Sequence, residues 1–138
     1  MLLVVDDHED SRYVLVRMLF YEGYEAIGVA SGQEALIFLG ANKPSLVVLD
    51  YNMPDMDGLA VFSEMKKDDR LRNIPVIMFS ANDGQVKEKA LLSGVDAYIV
   101  KGSLDWADLH REIIRLVGAG TPREQQRIDQ RLRDKNIG

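Results

Sequence analysis

The sequence has no cysteine and only two histidines, His8 and His110. That excludes disulfides, thiol nucleophiles, cysteine-ligated metals and clusters, and a histidine-rich zinc site. No apolar run approaches the ~20 residues needed to cross a bilayer, and the opening MLLVVDD turns acidic too early for a signal peptide. The chain therefore reads as a soluble cytoplasmic protein with no membrane partner. What is present, 138 residues at 46% hydrophobic and 28% charged, has the composition of one ordinary folded domain. A domain of this size buries a core without cross-links.

Positive charge is also scarce. The 17 basic residues face 22 acidic ones, a net of −5. Residues 119–138 run against that balance, with Arg123, Arg127, Arg131, Arg133 and Lys135 against Glu124, Asp129 and Asp134. The preceding 118 residues hold 12 basic and 19 acidic groups, a net of −7. Such a body lacks the clustered Lys and Arg that grip a phosphate backbone, so no direct nucleic-acid binding is expected. It suits a cation site, provided some of the acids converge.

Five short apolar runs punctuate the chain: Leu2–Val5, Glu25–Ala30, Leu46–Leu49, Pro75–Phe79 and Ala97–Val100. They show little polar alternation, which predicts strands buried on both faces. Helical spacing fills the gaps. Val14, Leu15, Met18 and Leu19 form one stripe, and Ser31-Gly-Gln-Glu34 is a capping box ahead of Ala35, Leu36 and Leu39. Asp57 and Asp83 are predicted N-caps for segments carrying Leu59, Val61, Phe62 and Met65, and Val86, Ala90 and Leu91. Ser103 is a candidate cap for a last helix with Trp106, Leu109, Ile113 and Leu116 or Val117 on its apolar face; Gly23, Gly94 and Gly118 fall where helices should stop. Strand and helix alternate five times, which predicts an α/β fold, a doubly wound parallel sheet with helices on both faces. Residues 118–122 read as a break before a polar, helical tail over 119–138 with a thin Ile128–Leu132 stripe.

Ligands of such sheets bind at the carboxyl ends of the strands. Four of the five runs end in a chemically capable group: Asp6-Asp7, Asp50, Ser80 and Lys101. Alone, each is an ordinary turn, strand-end or surface residue. Together they form a coherent set. Three converging carboxylates repel unless a cation offsets them, and an all-oxygen, carboxylate-rich site suits Mg²⁺ or Mn²⁺. A lysine and a hydroxyl complete the means of holding the oxygens of a transferring phosphoryl group, and a carboxylate can be the nucleophile.

With these residues assembled, the chain resembles a receiver domain of a two-component response regulator, of the CheY-like superfamily. The resemblance covers residues 1–118. LLVVDD is similar to the family's first strand and acidic pair, VVLDYNMPDMDG to its phosphoacceptor strand and loop, and VIMFSA and AYIVK to its fourth and fifth strands.

The resemblance implies a flavodoxin-like five-stranded sheet of order 2-1-3-4-5. It further implies that Asp50 accepts a phosphoryl group from a histidine kinase or a phosphotransfer protein. Asp7 would ligate Mg²⁺ directly and Asp6 through a water, with Asn52 offering its backbone carbonyl. Ser80 and Lys101 would each take a phosphoryl oxygen, and Tyr98 matches the aromatic that changes rotamer on activation. Asn52 and Asn82 match the two variable positions that tune hydrolysis. Output would run through the face formed by the fourth helix, fifth strand and fifth helix, residues 83–117, where Trp106 is a candidate contact, and phosphorylation-dependent homodimerisation is a further expectation. The function expected is that of a phosphoacceptor signalling domain, not an enzyme, assisting only its own phosphorylation and dephosphorylation.

One departure is Gly102, which follows Lys101 where the family usually has proline. His8 beside the acidic pair reads as a loop residue, since an imidazole is a poor match for a hard cation. Rival readings are a pseudo-receiver that never carries phosphate, a phosphate-transferring hydrolase, and a receiver fragment of a larger hybrid kinase or transcription regulator. The complete set of five residues argues against the first. The lack of any insertion able to build a lid argues against the second.

Overall fold

A computed structural model describes residues 1–81, 84–102 and 105–137, with residues 136 and 137 described by their backbone alone. The chain order is β1 (Leu2–Val5), α1 (Glu9–Tyr21), β2 (Ala26–Val29), α2 (Gly32–Ala41), β3 (Leu46–Leu49), α3 (Gly58–Lys67), β4 (Val76–Ser80), α4 (Gln85–Ser93), β5 (Ala97–Val100), α5 (Asp105–Val117) and α6 (Arg123–Ile137). The strands form one sheet of order β2-β1-β3-β4-β5, and every pairing is parallel.

Successive strand residues point to opposite faces, which explains the unbroken apolar runs. Leu3, Val5, Val47, Leu49, Val76 and Met78 join one core with residues of α2, α3 and α4. Leu2, Val4, Leu46, Val48 and Ile77 join a second with Leu15 and Leu19 of α1 and Leu109 and Ile113 of α5. The strands thus bury alternate residues in two different cores.

Burial on both faces fails at the edges. In β2, Ile27 and Gly28 are exposed, and so is Val100 at the end of β5. An apolar strand reads alike at the centre and at the rim of a sheet; only topology decides which it is. The helix faces also differ from the sequence stripes at two positions. Val14 is 53% exposed while α1 buries Leu15 and Leu19, and Leu91 is exposed while α4 buries Ala90.

The local signals behave as their chemistry predicts. Ser31 Oγ accepts from the Glu34 N–H at 3.0 Å, while Glu34 reaches back to the Ala30 N–H at 2.6 Å. Asp57 Oδ1 caps α3 through the Ala60 N–H at 2.9 Å. Gly23, Gly94 and Gly118 all have positive φ after α1, α4 and α5. Asn82, Asp83 and Ser103 lie outside the described residues.

The connector to α6 is packed against the body. The Tyr24 hydroxyl donates to the Gly118 carbonyl at 2.8 Å. A Cβ on Gly120 would stand 2.4 Å from the Glu22 carbonyl oxygen. Arg123 donates to the Phe20 carbonyl at 3.0 Å and lays its guanidinium 4.4 Å from the Phe20 ring centroid. No described helix is long and apolar enough to cross a membrane.

Candidate phosphoryl and metal site

The sheet ladder continues past the strand ends and fixes where each side chain starts. Asp6 N–H donates to the Val29 carbonyl, Asp50 N–H to Val5 and Lys101 N–H to Ser80, at 3.1, 2.9 and 2.9 Å. Four strands thereby deliver their terminal groups to one edge. Among the described residues, the buried polar ones are Asp6 (4% exposed), Asp50 (5%) and Ser80 (0%), all at this edge. Ligand oxygens or nitrogens of Asp6, Asp7, His8 and Asp50 lie within 4.8 Å of one another.

Lys101 is the counter-charge. Its Nζ donates to Asp6 Oδ2 at 3.0 Å and to Asp50 Oδ2 at 3.4 Å, with the Phe79 ring 5.4 Å away. Burial pulls the ammonium pKa down. The hydrogen bond to Asp6 and the charges of Asp50 and Asp6 together outweigh it, and the pKa rises above the ordinary 10.5.

Asp50 Oδ1 accepts the Asn52 N–H at 3.2 Å, and Asp6 Oδ1 accepts the His8 N–H at 2.9 Å. Asp7 Oδ1 is buried and accepts no hydrogen bond. His8 Nδ1, 3.3 Å from it, forms an ion pair only when the ring is protonated. A buried carboxylate oxygen with no donor is costly, and a hard cation would satisfy it. The donor set of three carboxylates therefore fits Mg²⁺ or Mn²⁺. The structure brings His8 into this cluster, although its side chain is 71% exposed.

The segment after Asp50 is held by close approach. A Cβ on Gly58 would stand 2.5 Å from the Asp50 carbonyl oxygen, and the Gly58 N–H donates to the Tyr51 carbonyl at 3.0 Å. Only glycine lets α3 begin so near the end of β3. Gly102 supplies an N–H, bonded to Asp105 Oδ2 at 3.1 Å, that proline would lack.

Tyr98 is buried, opposite Met78 in the β4–β5 register and within the core shared with α4. Trp106, expected on the apolar face of α5, is half-buried, stacked on His110 at 5.2 Å. With Val14, Met18 and Phe79 it lines a groove of about 340 Å³ between α1 and α5 that opens on Asp6 and Lys101. Sequence reasoning did not single out Arg12, whose guanidinium donates to the Asp6 main-chain carbonyl at 2.9 Å.

Residues 2–114 match the response regulator receiver domain family. The probable transcriptional regulator ycf27 of Porphyra purpurea is 42% identical over 102 residues, 72% of this chain and 40% of the relative. Chemotaxis protein CheY1 of Helicobacter pylori is 40% identical over 103 residues, 72% of this chain and 83% of the relative. The response regulator TrrA of Thermotoga maritima, solved in complex with Mg²⁺-BeF, superposes with a TM-score of 0.76 at 31% identity, covering 84% of this chain and 97% of that one. The chain thus spans 40% of the length of the first ycf27 relative.

Proposed function

This chain belongs to the response regulator receiver domain family, signalling domains of two-component systems, and from that premise we propose that Asp50 is its phosphoacceptor. The observation that carries this reading is Lys101 Nζ lying between the Asp6 and Asp50 carboxylates, in a cluster where a buried Asp7 oxygen has no hydrogen bond.

The donor is the phosphohistidine of a histidine kinase or phosphotransfer protein. An Asp50 carboxylate oxygen attacks phosphorus in line; the P–O bond forms as the P–N bond breaks, and the imidazole departs with the electron pair and is protonated by solvent. Asp50 needs no deprotonation, because a carboxylate is already the nucleophile. Asp6, Asp7, Asp50 and the Asn52 carbonyl would hold Mg²⁺, or Mn²⁺ in its place. That ion supplies positive charge against the phosphoryl oxygens.

Lys101 turns from Asp50 to a phosphoryl oxygen, and the Ser80 hydroxyl donates to another. Movement of Ser80 biases the packing of Tyr98 and so the α4-β5-α5 face, where Leu92 is 82% exposed and Leu91 43%. Water attack on the acyl phosphate resets the switch. A second reading concerns context: the 40% coverage of a ycf27 relative favours a receiver module of a larger transcription regulator.

Incubation with a small phosphodonor tests the assignment, read by intact mass. The parent protein gains one phosphoryl group only when Mg²⁺ is present, and Asp50→Asn gains none. An equal adduct on the variant, or none on the parent, would overturn it.

A further inference from the structure

We propose that Arg12, seated over Gly28, is a positioning residue that sets the acidic pair by holding the main-chain carbonyl of Asp6, a proposal that rests on the Mg²⁺-dependent reading of the site.

Gly28 interrupts an otherwise apolar strand, Ala-Ile-Gly-Val, and its φ is not among the positive ones. Backbone conformation therefore does not demand glycine there, and glycine weakens a strand. Close approach of another group is the remaining reason. That group is Arg12. A Cβ on Gly28 would stand 2.8 Å from Arg12 Cγ, 3.0 Å from Cδ and 3.3 Å from Val16 Cγ2. The arginine stem occupies the space that any side chain at position 28 would fill.

From there the guanidinium reaches the Asp6 carbonyl at 2.9 Å. Among the described residues no carboxylate lies within ion-pair distance of it. Its contribution is thus orientation of a peptide plane. The Asp6 carbonyl belongs to the Asp6–Asp7 peptide, so holding it fixes the backbone from which the Asp7 side chain departs. Asp6 itself is already held through its N–H by Val29 and through its carboxylate by His8 N–H and Lys101. Asp7 Oδ1 has no hydrogen bond of its own and only the exposed His8 ring beside it at 3.3 Å, so the peptide that Arg12 holds is the main-chain anchor of its position.

The test is calorimetric titration of MgCl₂ into the full chain, alongside phosphoryl uptake at saturating Mg²⁺. Arg12→Met keeps the stem and removes the donors. It is expected to weaken Mg²⁺ binding about tenfold, the low end for groups that orient metal ligands, while uptake at saturating Mg²⁺ reaches the parent level. Gly28→Ala evicts the stem and should weaken binding in the same direction. The double variant should be no weaker than Arg12→Met alone, because both changes remove one contact. Arg12→Leu also removes the donors, and shows the same direction of loss should the methionine variant fail to fold.

Unchanged Mg²⁺ affinity in a folded Arg12 variant overturns the proposal, as does full additivity in the double variant. A parent protein that binds Mg²⁺ yet takes no phosphoryl group would end the phosphoacceptor reading alone. A parent that binds no Mg²⁺ ends both.

Discussion

Lys101 spends one charge on two buried carboxylates, and this makes stability depend on pH at the alkaline end. Its pKa is raised in the folded state, so the stabilisation is complete below the ordinary 10.5 and is lost as pH rises through the higher folded value. Urea unfolding of the metal-free protein should therefore show stability falling above pH 10.5 more steeply than in Lys101→Met. Parallel profiles for the two proteins would show that Lys101 carries no such linkage. The residues of this cluster were legible because each of Asp6, Asp50, Ser80 and Lys101 ends an apolar run, and strand ends are where a parallel sheet presents its ligands. Arg12 was not legible. It sits in the first turns of α1, where a basic residue reads as solvated surface, and its only sequence trace is a glycine sixteen positions on, in β2.

At the scale of elements, the start of α3 links the end of β3 to the rest of the fold. Asp57 caps it and Gly58 lets it touch the Asp50 carbonyl. Asp57→Ala should cost about 1 kcal/mol in urea unfolding, the usual loss for an N-cap, without altering phosphoryl uptake. Gly58→Ala should cost more and should slow uptake, because the added methyl must push against the Asp50–Tyr51 backbone. Stopped-flow uptake at matched Mg²⁺ separates the two, and equal rates in both variants would contradict the role given to Gly58. Caps and stops were legible from local chemistry alone. The exposure of β2, and of Val14 and Leu91, was not, because it depends on which strands are edges and how each helix is rotated onto them.

Across the whole molecule, the charge asymmetry read from sequence corresponds to a structural join. The basic segment begins where the connector crosses the α1–β2 turn, held by Tyr24, Gly120 and Arg123. Gly120→Ala would force the connector away from the Glu22 carbonyl. Amide hydrogen exchange at Gly23 and Tyr24 should then quicken, while the amides of β1 and β3 keep their protection. Unchanged exchange at the turn would mean that the connector contributes nothing to its order. The tail's helix could be anticipated from polarity and spacing. Its docking could not, since it relies on two glycines whose close contact, Gly23 to Thr121 and Gly120 to Glu22, joins segments far apart in sequence.

The central claim is that one carboxylate, Asp50, forms an acyl phosphate at the edge where four strands end. Borohydride reduction after phosphorylation converts an acyl phosphate of aspartate to homoserine, which peptide mass mapping locates. The account predicts homoserine at position 50 alone, formed only with Mg²⁺ and phosphodonor together. Homoserine at position 6 or 7, or a phosphorylated chain with none at position 50, would contradict it.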